Sequence, residues 1–195
     1  MSRSVGTFAP RRRAVLAMLA ACASTRALAA LQPSIDEPGL PAPAIAVTGT
    51  DGRERPLAQL LAGKVSAVQL MFTGCSASCP TQGAFFAALA ARLHAPDIQL
   101  VSLSIDALGD DPATLRTWQS RFGRHPAWHA AVPKPGDVDR LADFMKGRTG
   151  RRGTHTAQVF VFDADARLRH RTADAPALAE VEALLLQLSD RAGRG

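Results

Sequence analysis

The sequence is poor in cysteine, and this scarcity excludes one class of fold. The chain has 195 residues and only three cysteines, too few for the network of disulfides that holds many small secreted domains together. Beyond the first 29 residues, about 160 residues remain, enough to bury a sizeable core without such bridges. With 47% hydrophobic and 21% charged residues, the composition is that of one ordinary globular domain and not of a fibrous or disordered chain.

Most of the chain also lacks an excess of charge of either sign. The formal net charge is +6, but five of the 23 basic residues lie within the first 29 residues, which contain no acidic residue. The remaining 18 basic residues are nearly balanced by 17 acidic ones. We therefore expect no nucleic-acid partner, because proteins that bind nucleic acids present a strongly basic surface.

The apolar run near the N terminus is too short to cross a bilayer as a helix. This run, Ala14 to Ala21, follows three basic residues, Arg11 to Arg13, and the small residues Ala27-Leu28-Ala29 come shortly after it. A basic start, an apolar stretch and a small-residue cleavage site are typical of a secretory signal. Residues 1–29 are therefore predicted to be an export signal, and the protein is predicted to be periplasmic.

A lipoprotein signal is the alternative within the same stretch. Leu19-Ala20-Ala21-Cys22 resembles a bacterial lipobox, in which Cys22 would be lipidated and become the first residue of the mature chain. In the other reading, Cys22 is removed with the signal. Lipidation would hold the protein at the inner-membrane surface. The pair Arg12-Arg13 is also compatible with a twin-arginine export route.

The remainder of the chain divides into three predicted segments. Residues 30–43 are rich in proline and are predicted to form a spacer without regular structure. Residues 44–190 are predicted to form the folded domain, and residues 191–195 a frayed basic tail.

Strand and helix patterns alternate within residues 44–190. We expect Asp111 and Asp174 to cap two of the helices. The order of the elements predicts an α/β fold in which a mixed central sheet is covered by helices on both faces, with the functional site where strand ends meet helix starts. The hydrophobic patterns predict strands at 45–48, 65–72, 99–105, 128–132, 156–162 and 168–171, and helices at 57–61, 79–94, 112–122, 137–145 and 174–188.

Two cysteines lie at one of these predicted strand-to-helix junctions, in the segment Phe72-Thr73-Gly74-Cys75-Ser76-Ala77-Ser78-Cys79-Pro80. Cys75 and Cys79 are close enough to reach one another or a single ion, and a helix start lowers the pKa of a nearby thiol. Three roles are open: a structural disulfide, a redox-active dithiol, or a pair of thiolate metal ligands. A bridge that closes so short a loop would stabilise the fold only a little.

A metal site would need a third ligand, and His155 is the candidate among the five histidines. It follows a loop rich in glycine and arginine, residues 147–154, and comes directly before a predicted strand. Two thiolates and one imidazole suit Cu(I), and the same ligands can hold Cu(II). The alternative for His155 is an ordinary histidine with no ligand role.

Several motifs, taken together, resemble the Sco/SenC family across residues 44–188. The resemblance implies a thioredoxin-like fold in an exported or anchored protein that delivers copper to the dinuclear copper centre of cytochrome c oxidase. It implies thiolate ligands at Cys75 and Cys79, an imidazole ligand at His155, and as partners a copper-accepting oxidase subunit and a thioredoxin-type thiol reductant. The motifs are Phe72-Thr73-Gly74-Cys75 with Cys79-Pro80, Ser104-Ile105-Asp106 with Asp110 and Pro112, Thr154-His155-Thr156, and Phe162-Asp163-Ala164-Asp165.

The chain departs from the family pattern at two places. Ser76-Ala77 stands where the family usually has Pro-Asp, and Thr154 where it usually has Asp. Both changes remove a carboxylate that could orient a ligand histidine or balance the charge of a metal. Asp106 and Asp110, which lie beyond a predicted strand end, are expected to have turn or capping roles. Arg151 and Arg152, beside His155, are expected to lie in a solvated loop.

A thiol-disulfide oxidoreductase is the alternative function. In that case one of Cys75 and Cys79 attacks a partner disulfide and the other resolves the mixed disulfide. A peroxide-reducing enzyme of the same fold is disfavoured because the chain lacks a cysteine in a Thr-x-x-Cys setting. His155 distinguishes the first two functions, because a copper site requires it and dithiol exchange does not.

Overall fold

The apolar segment Val65–Met71 forms a central strand of an eight-stranded sheet in the computed structural model of the chain, which describes residues 38–76, 79–148 and 155–194. The strands are β1 (Leu40–Pro41), β2 (Ala46–Gly49), β3 (Glu54–Pro56), β4 (Val65–Met71), β5 (Ile98–Ser104), β6 (Trp128–Pro133), β7 (Phe160–Phe162) and β8 (Arg167–Arg171). The helices are α1 (Leu57–Leu61), α2 (Cys79–Arg92), α3 (Pro112–Ser120), α4 (Val138–Met145), which follows a 3-10 turn at Pro135–Asp137, and α5 (Leu178–Ala192).

The sheet is mixed. Its strand order is β1-β8-β7-β4-β5-β6-β2-β3. Strands β4, β5 and β6 are parallel neighbours, whereas the other pairs in the sheet, including β4 with β7, are antiparallel. The carboxyl ends of β4 and β5 consequently lie side by side, and the residues that precede β7 return toward the same edge.

Helices cover both faces of this sheet. Ala67 and Met71 of β4 belong to a core cluster that includes residues of α2, α3 and α5, whereas Val68 and Leu70 belong to a second cluster with residues of α1 and α4. Because successive side chains of a strand point to opposite faces, a strand covered on both sides is apolar throughout much of its length. The predicted α/β architecture with a mixed sheet is confirmed.

Two strands lie outside the predicted set. The expectation that the proline-rich stretch has no regular structure is wrong at Leu40–Pro41, which pairs with Leu168 and Arg167 at the sheet edge. An edge strand tolerates proline because one side of its backbone has no strand to bond. Strand β3, Glu54–Pro56, is short and polar, so it has no hydrophobic pattern by which it could be found.

The predicted strand over 156–162 is shorter in the structure and comprises only Phe160–Phe162. Backbone amides of the preceding residues, 156–159, donate hydrogen bonds to groups outside any neighbouring strand. The amide of Thr156 donates to the carbonyl oxygen of Gly147 over 2.8 Å, and the amide of Val159 donates to the hydroxyl of Thr172 over 2.9 Å. These bonds replace a regular ladder, so local β-propensity overestimated the strand.

One of the two predicted helix caps is confirmed and the other is wrong. The Asp111 carboxylate accepts hydrogen bonds from the amides of Ala113 and Thr114 at the start of α3. Asp174 does not cap α5, because that helix begins only at Leu178, after Ala177. The Asp174 carboxylate instead accepts a hydrogen bond from the amide of Ala157.

Some predictions fall on residues that the structure does not describe. These are the export signal with Cys22, spacer residues 30–37, and the loop residues Arg151, Arg152 and Thr154. Within the described ranges, no helix combines the length and the hydropathy needed to cross a membrane.

Candidate metal centre

The first of the two cysteines lies in the turn that follows β4. The amide of Cys75 donates to the carbonyl oxygen of Phe72 over 3.2 Å, and α2 then begins at Cys79. The side chain of Cys79 is fully buried in the core cluster, whereas that of Cys75 is half-buried against the same cluster. The two sulfur atoms therefore differ in their access to solvent.

The third candidate ligand is brought to this edge by the direction of β7. Because β7 runs antiparallel to β4, with Val68 opposite Phe160 and Ser66 opposite Phe162, the chain before β7 lies beyond the carboxyl end of β4. His155 is held there by a β-bridge with Arg148. His155 and Cys79 are 76 positions apart in the chain, yet their side chains meet in the fold.

The three side chains converge on one point. One ligand atom from each of Cys75, Cys79 and His155 lies within 4.8 Å of the other two, and among the described residues these form a group able to hold a metal ion. The Sγ atom of Cys79 lies 3.4 Å from Nε2 of His155. Only 9% of the His155 surface is exposed, so the imidazole is largely removed from water.

The hydrogen bond on the far side of the imidazole determines its tautomer. The Nδ1 atom of His155 lies 3.0 Å from the carbonyl oxygen of Thr156. A carbonyl oxygen only accepts hydrogen bonds, so Nδ1 carries the proton in this arrangement. In the neutral ring, Nε2 then has a free lone pair directed at the Cys79 sulfur, which is the form that a metal ligand requires.

Burial also favours the neutral imidazole. It lowers the pKa of His155 below its usual value of 6.5, because the charged ring loses solvation. The hydrogen bond to the Thr156 carbonyl oxygen and the negative charge of Asp174 act in the opposite direction and are the smaller effects. His155 is thus neutral at physiological pH and able to coordinate a metal.

Phe72 forms an apolar wall beside the imidazole. Its ring centroid lies 6.0 Å from that of His155, and the two ring planes meet at 82°. This edge-to-face contact is favourable for aromatic rings. The contact restricts rotation of the His155 side chain, so the Nε2 atom stays directed toward Cys79.

Sequence reasoning missed the part played by Asp110. It was expected to have only a turn or capping role, but its carboxylate is buried and accepts a hydrogen bond from the Thr73 amide over 3.0 Å. It also accepts hydrogen bonds from the hydroxyls of Thr73 and Ser104, the latter over 2.6 Å. Asp110 therefore joins the loop after β5 to the cysteine loop. The sequence did contain a signal for this role, because polar residues follow the ends of the two apolar strands β4 and β5.

The missing carboxylate at position 154 has a substitute in the fold. A second group that accepts a hydrogen bond from a ligand histidine fixes the tautomer and raises the basicity of the ring. In this chain the Thr156 carbonyl oxygen performs that role for His155. The replacement of Asp by Thr154 is therefore compatible with an oriented imidazole.

The sequence matches a known protein family. A model of the SCO1/SenC family matches residues 46–185. Among curated proteins, no sequence matches the chain significantly.

Solved structures share the fold at low sequence identity. A SCO1/SenC family lipoprotein from Bacillus anthracis is 20% identical, with a TM-score of 0.67 over 78% of this chain and 96% of that one. ScoI of Bradyrhizobium japonicum, solved with copper bound, is 20% identical, with a TM-score of 0.63 over 76% and 99%. BsSco, described as having a disulfide switch and as a member of the Sco family of cytochrome c oxidase assembly proteins, is 17% identical, with a TM-score of 0.68 over 80% and 96%.

The described domain has the thioredoxin-like architecture of these structures. In this chain Cys75 lies in the turn after β4, Cys79 at the start of α2, and His155 in the segment before β7. The family model spans well over half of the 195 residues. The chain therefore belongs to the SCO1/SenC family.

Proposed function

We propose that the chain binds one copper ion through Cys75, Cys79 and His155 and delivers it to the dinuclear copper centre of a cytochrome c oxidase. The observation that supports this most strongly is that two sulfur atoms and one imidazole nitrogen lie within 4.8 Å of one another. This soft, three-ligand set suits Cu(I) and can also hold Cu(II). The copper-bound ScoI structure, which shares the fold, adds support.

Copper would leave by ligand exchange. Cys75 is the more exposed of the two cysteines, and Cys79 is fully buried. A thiolate of the acceptor would therefore replace Cys75 first, and the acceptor's further ligands would then replace Cys79 and His155. Cu(I) keeps its oxidation state in these steps, and each released thiolate takes up a proton.

The copper-binding form of the site, with both cysteines reduced, requires a second partner. Only reduced cysteines bind copper as thiolates, so we propose a thioredoxin-type reductant that restores the dithiol after oxidation. We place the protein in the periplasm, anchored at the inner membrane if Cys22 is lipidated. The mass of the protein extracted from membranes tests the anchor, because attached acyl chains add mass at Cys22.

Anaerobic titration of the reduced protein with Cu(I), against a competing chelator, tests the copper site. We expect one tight equivalent for the parent and about ten- to a hundredfold weaker binding for His155→Ala. His129→Ala is a matched control, because His129 is also partly buried but is not part of the ligand group. A parent that does not compete with the chelator, or a His155→Ala variant with parental affinity, would refute the three-ligand site.

A thiol-disulfide oxidoreductase is the second candidate, and the unequal exposure of the two cysteines favours it. The thiolate of Cys75 would attack a partner disulfide and form a mixed disulfide, and one partner thiolate would leave. Cys79 would then attack the Cys75 sulfur and release the second partner thiolate. The partner gains two electrons and the protein ends with a Cys75–Cys79 disulfide. Reduction of a test disulfide by the protein at the same rate in parent and His155→Ala would support this function.

A further inference from the structure

Gln82 of α2 has a buried side-chain amide without a hydrogen-bond partner. Only 7% of the residue is exposed, and neither its side-chain oxygen nor its side-chain nitrogen has a hydrogen-bond partner among the described residues. Most buried polar side chains in native proteins are hydrogen-bonded, because an unpaired one lowers the stability of the fold. A glutamine that is buried with both ends unpaired therefore requires an explanation.

Gln82 lies next to Cys79 on the buried face of α2. Both side chains are buried, and the residues are three positions apart, a spacing that makes two side chains of a helix neighbours. A helical side chain tilts toward the N terminus of its helix and so lies over the preceding turn. For Gln82 that turn contains Cys79. The glutamine side chain is long enough to bring its amide against the Cys79 sulfur.

Metal binding changes the hydrogen bonding that the Cys79 sulfur requires. In the metal-free protein this sulfur faces Nε2 of His155 at 3.4 Å, and a thiol is only a weak acceptor. When a metal ion binds, the metal–sulfur bond replaces the S–H bond, and the proton is released to solvent. The sulfur is then a thiolate. Because Cys79 is fully buried, donors of the protein must stabilise this charge.

The side-chain amide of Gln82 has donors of the kind that a buried thiolate needs. It carries two N–H groups, and neither is bonded to another group of the described chain. The residue directly after Cys79 is Pro80, which has no N–H to donate. Hydrogen bonds to a coordinating sulfur tune the properties of the bound metal. Gln82 is thus a donor placed beside a ligand that needs one when metal is bound.

A second buried glutamine is the competing partner. Gln69 of β4 donates through Nε2 to the hydroxyl of Ser102 over 2.8 Å, whereas its side-chain oxygen has no partner among the described residues. Because side chains of a strand alternate, Gln69 faces the same side of the sheet as Ala67 and Met71, whose core cluster includes residues of α2. A bond between the two glutamines would give Gln82 a purely structural role.

We propose that Gln82 is a positioning residue of the copper site and that its side-chain N–H donates a hydrogen bond to the Cys79 sulfur in the metal-bound protein. This inference rests on the proposed function, because it concerns the metal-bound form of the same three ligands. The bond neutralises part of the thiolate charge and orients the sulfur toward the metal. Gln82 then stabilises the metal-bound form at the expense of the metal-free one, in which its amide is unpaired.

NMR of the reduced, ¹⁵N-labelled protein with one equivalent of ¹¹³Cd(II) tests this bond, because Cd(II) binds thiolates and ¹¹³Cd has a nuclear spin. We expect one side-chain N–H of Gln82 to move downfield when Cd(II) binds, and to show a scalar coupling to ¹¹³Cd across the N–H···S bond. Gln69→Leu is the matched control and should retain this coupling. A parent that binds Cd(II) without the shift and the coupling, or their loss in Gln69→Leu, would overturn the proposal.

Gln82→Leu separates a role in metal binding from a structural one. Leucine replaces an unpaired amide with an apolar side chain of similar size, so the urea midpoint of the metal-free variant should equal or exceed that of the parent. Its affinities for Cd(II) and Cu(I), measured against competing chelators, should fall about tenfold or more, as with loss of a group that supports a metal ligand. A lower urea midpoint with parental metal affinities would show that Gln82 is structural.

Cu(I) titration of the parent distinguishes failure of this inference from failure of the proposed function. Coupling between Gln82 and ¹¹³Cd in a parent that does not compete for Cu(I) would refute copper binding and leave the hydrogen bond in place. A parent that binds Cu(I) tightly but shows no coupling in its Cd(II) form would refute only the role of Gln82.

Discussion

The Nε2 atom of His155 faces the Sγ atom of Cys79 at 3.4 Å, while the opposite ring nitrogen is bonded to the carbonyl oxygen of Thr156. The backbone next to the histidine thus selects the tautomer in which the unprotonated Nε2 atom faces the sulfur. In the metal-free protein, this arrangement allows the Cys79 thiol to donate its proton to Nε2. A metal ion would take the place of that proton, so the imidazole is oriented before any ligand arrives.

Cys75 is expected to react with alkylating reagents before Cys79. The Cys75 side chain is half-buried, whereas Cys79 is fully buried, and modification of a thiol requires access as well as thiolate character. Timed alkylation of the reduced protein followed by peptide mass spectrometry measures the two rates. In denaturant the two rates should become similar. Faster labelling of Cys79 in the native protein would contradict the arrangement.

Replacement of the buried carboxylate in Asp110→Ala should lower the free energy of unfolding by about 2 to 3 kcal/mol, because the partly buried donors of Thr73 and the buried hydroxyl of Ser104 would lose their acceptor. Asp106→Ala is the matched control. Its carboxylate accepts the Gly109 amide in a half-exposed turn, so a cost below about 1 kcal/mol is expected. Urea unfolding measures both, and equal losses would show that Asp110 does not join the two loops as described.

A methyl group at position 83 should destabilise the packing of α2. A Cβ atom built on Gly83 would collide with the ring of Phe122, which follows α3. Gly83→Ala is therefore expected to cost about 1 to 3 kcal/mol, as overpacking of a core does. Gly136→Ala should stay within about 0.5 kcal/mol, because nothing lies within 4 Å of a Cβ atom there. Thermal unfolding compares the two, and a neutral Gly83→Ala would contradict the close approach.

Stability of the metal-free protein should depend on pH through His129. Its pKa is lowered from 6.5 mainly by burial, and also by Lys64 and Arg55, while Asp51 opposes the shift. Below the unfolded pKa of 6.5, the unfolded chain therefore binds more protons at this residue than the folded one. This term favours the folded state less as pH falls from 7 through 6.5 and toward the lower folded pKa.

His129→Gln removes this titration. When the pH is lowered from 7 to about one unit below 6.5, the urea midpoint of the variant should therefore fall less than that of the parent. The other histidines are unchanged and contribute equally to both proteins. Identical pH dependence in the two proteins would show that the folded and unfolded states do not differ in the pKa of His129.

Much of the fold could be predicted because local patterns matched the tertiary arrangement. The mostly apolar run at Val65–Met71 indicated a strand covered on both faces, and Asp111-Pro112 indicated a helix start. Prediction failed where long-range contacts decided the local structure. Leu40–Pro41 became a strand only because β8 offered an edge, and Asp174 was drawn to the Ala157 amide instead of a helix end.

By itself, the amino-acid sequence determined the chemistry that this protein has available: two thiols four positions apart at a helix start and one histidine after a glycine-rich loop. Residue spacing and hydrophobic pattern are local properties, so they can be identified from the sequence alone. Only the tertiary structure decided that His155 meets Cys79, that Thr156 orients the imidazole, and that Asp110 holds the cysteine loop. Those relationships follow from the antiparallel return of β7 and the parallel alignment of β4 and β5, which bring together residues that are far apart in the chain.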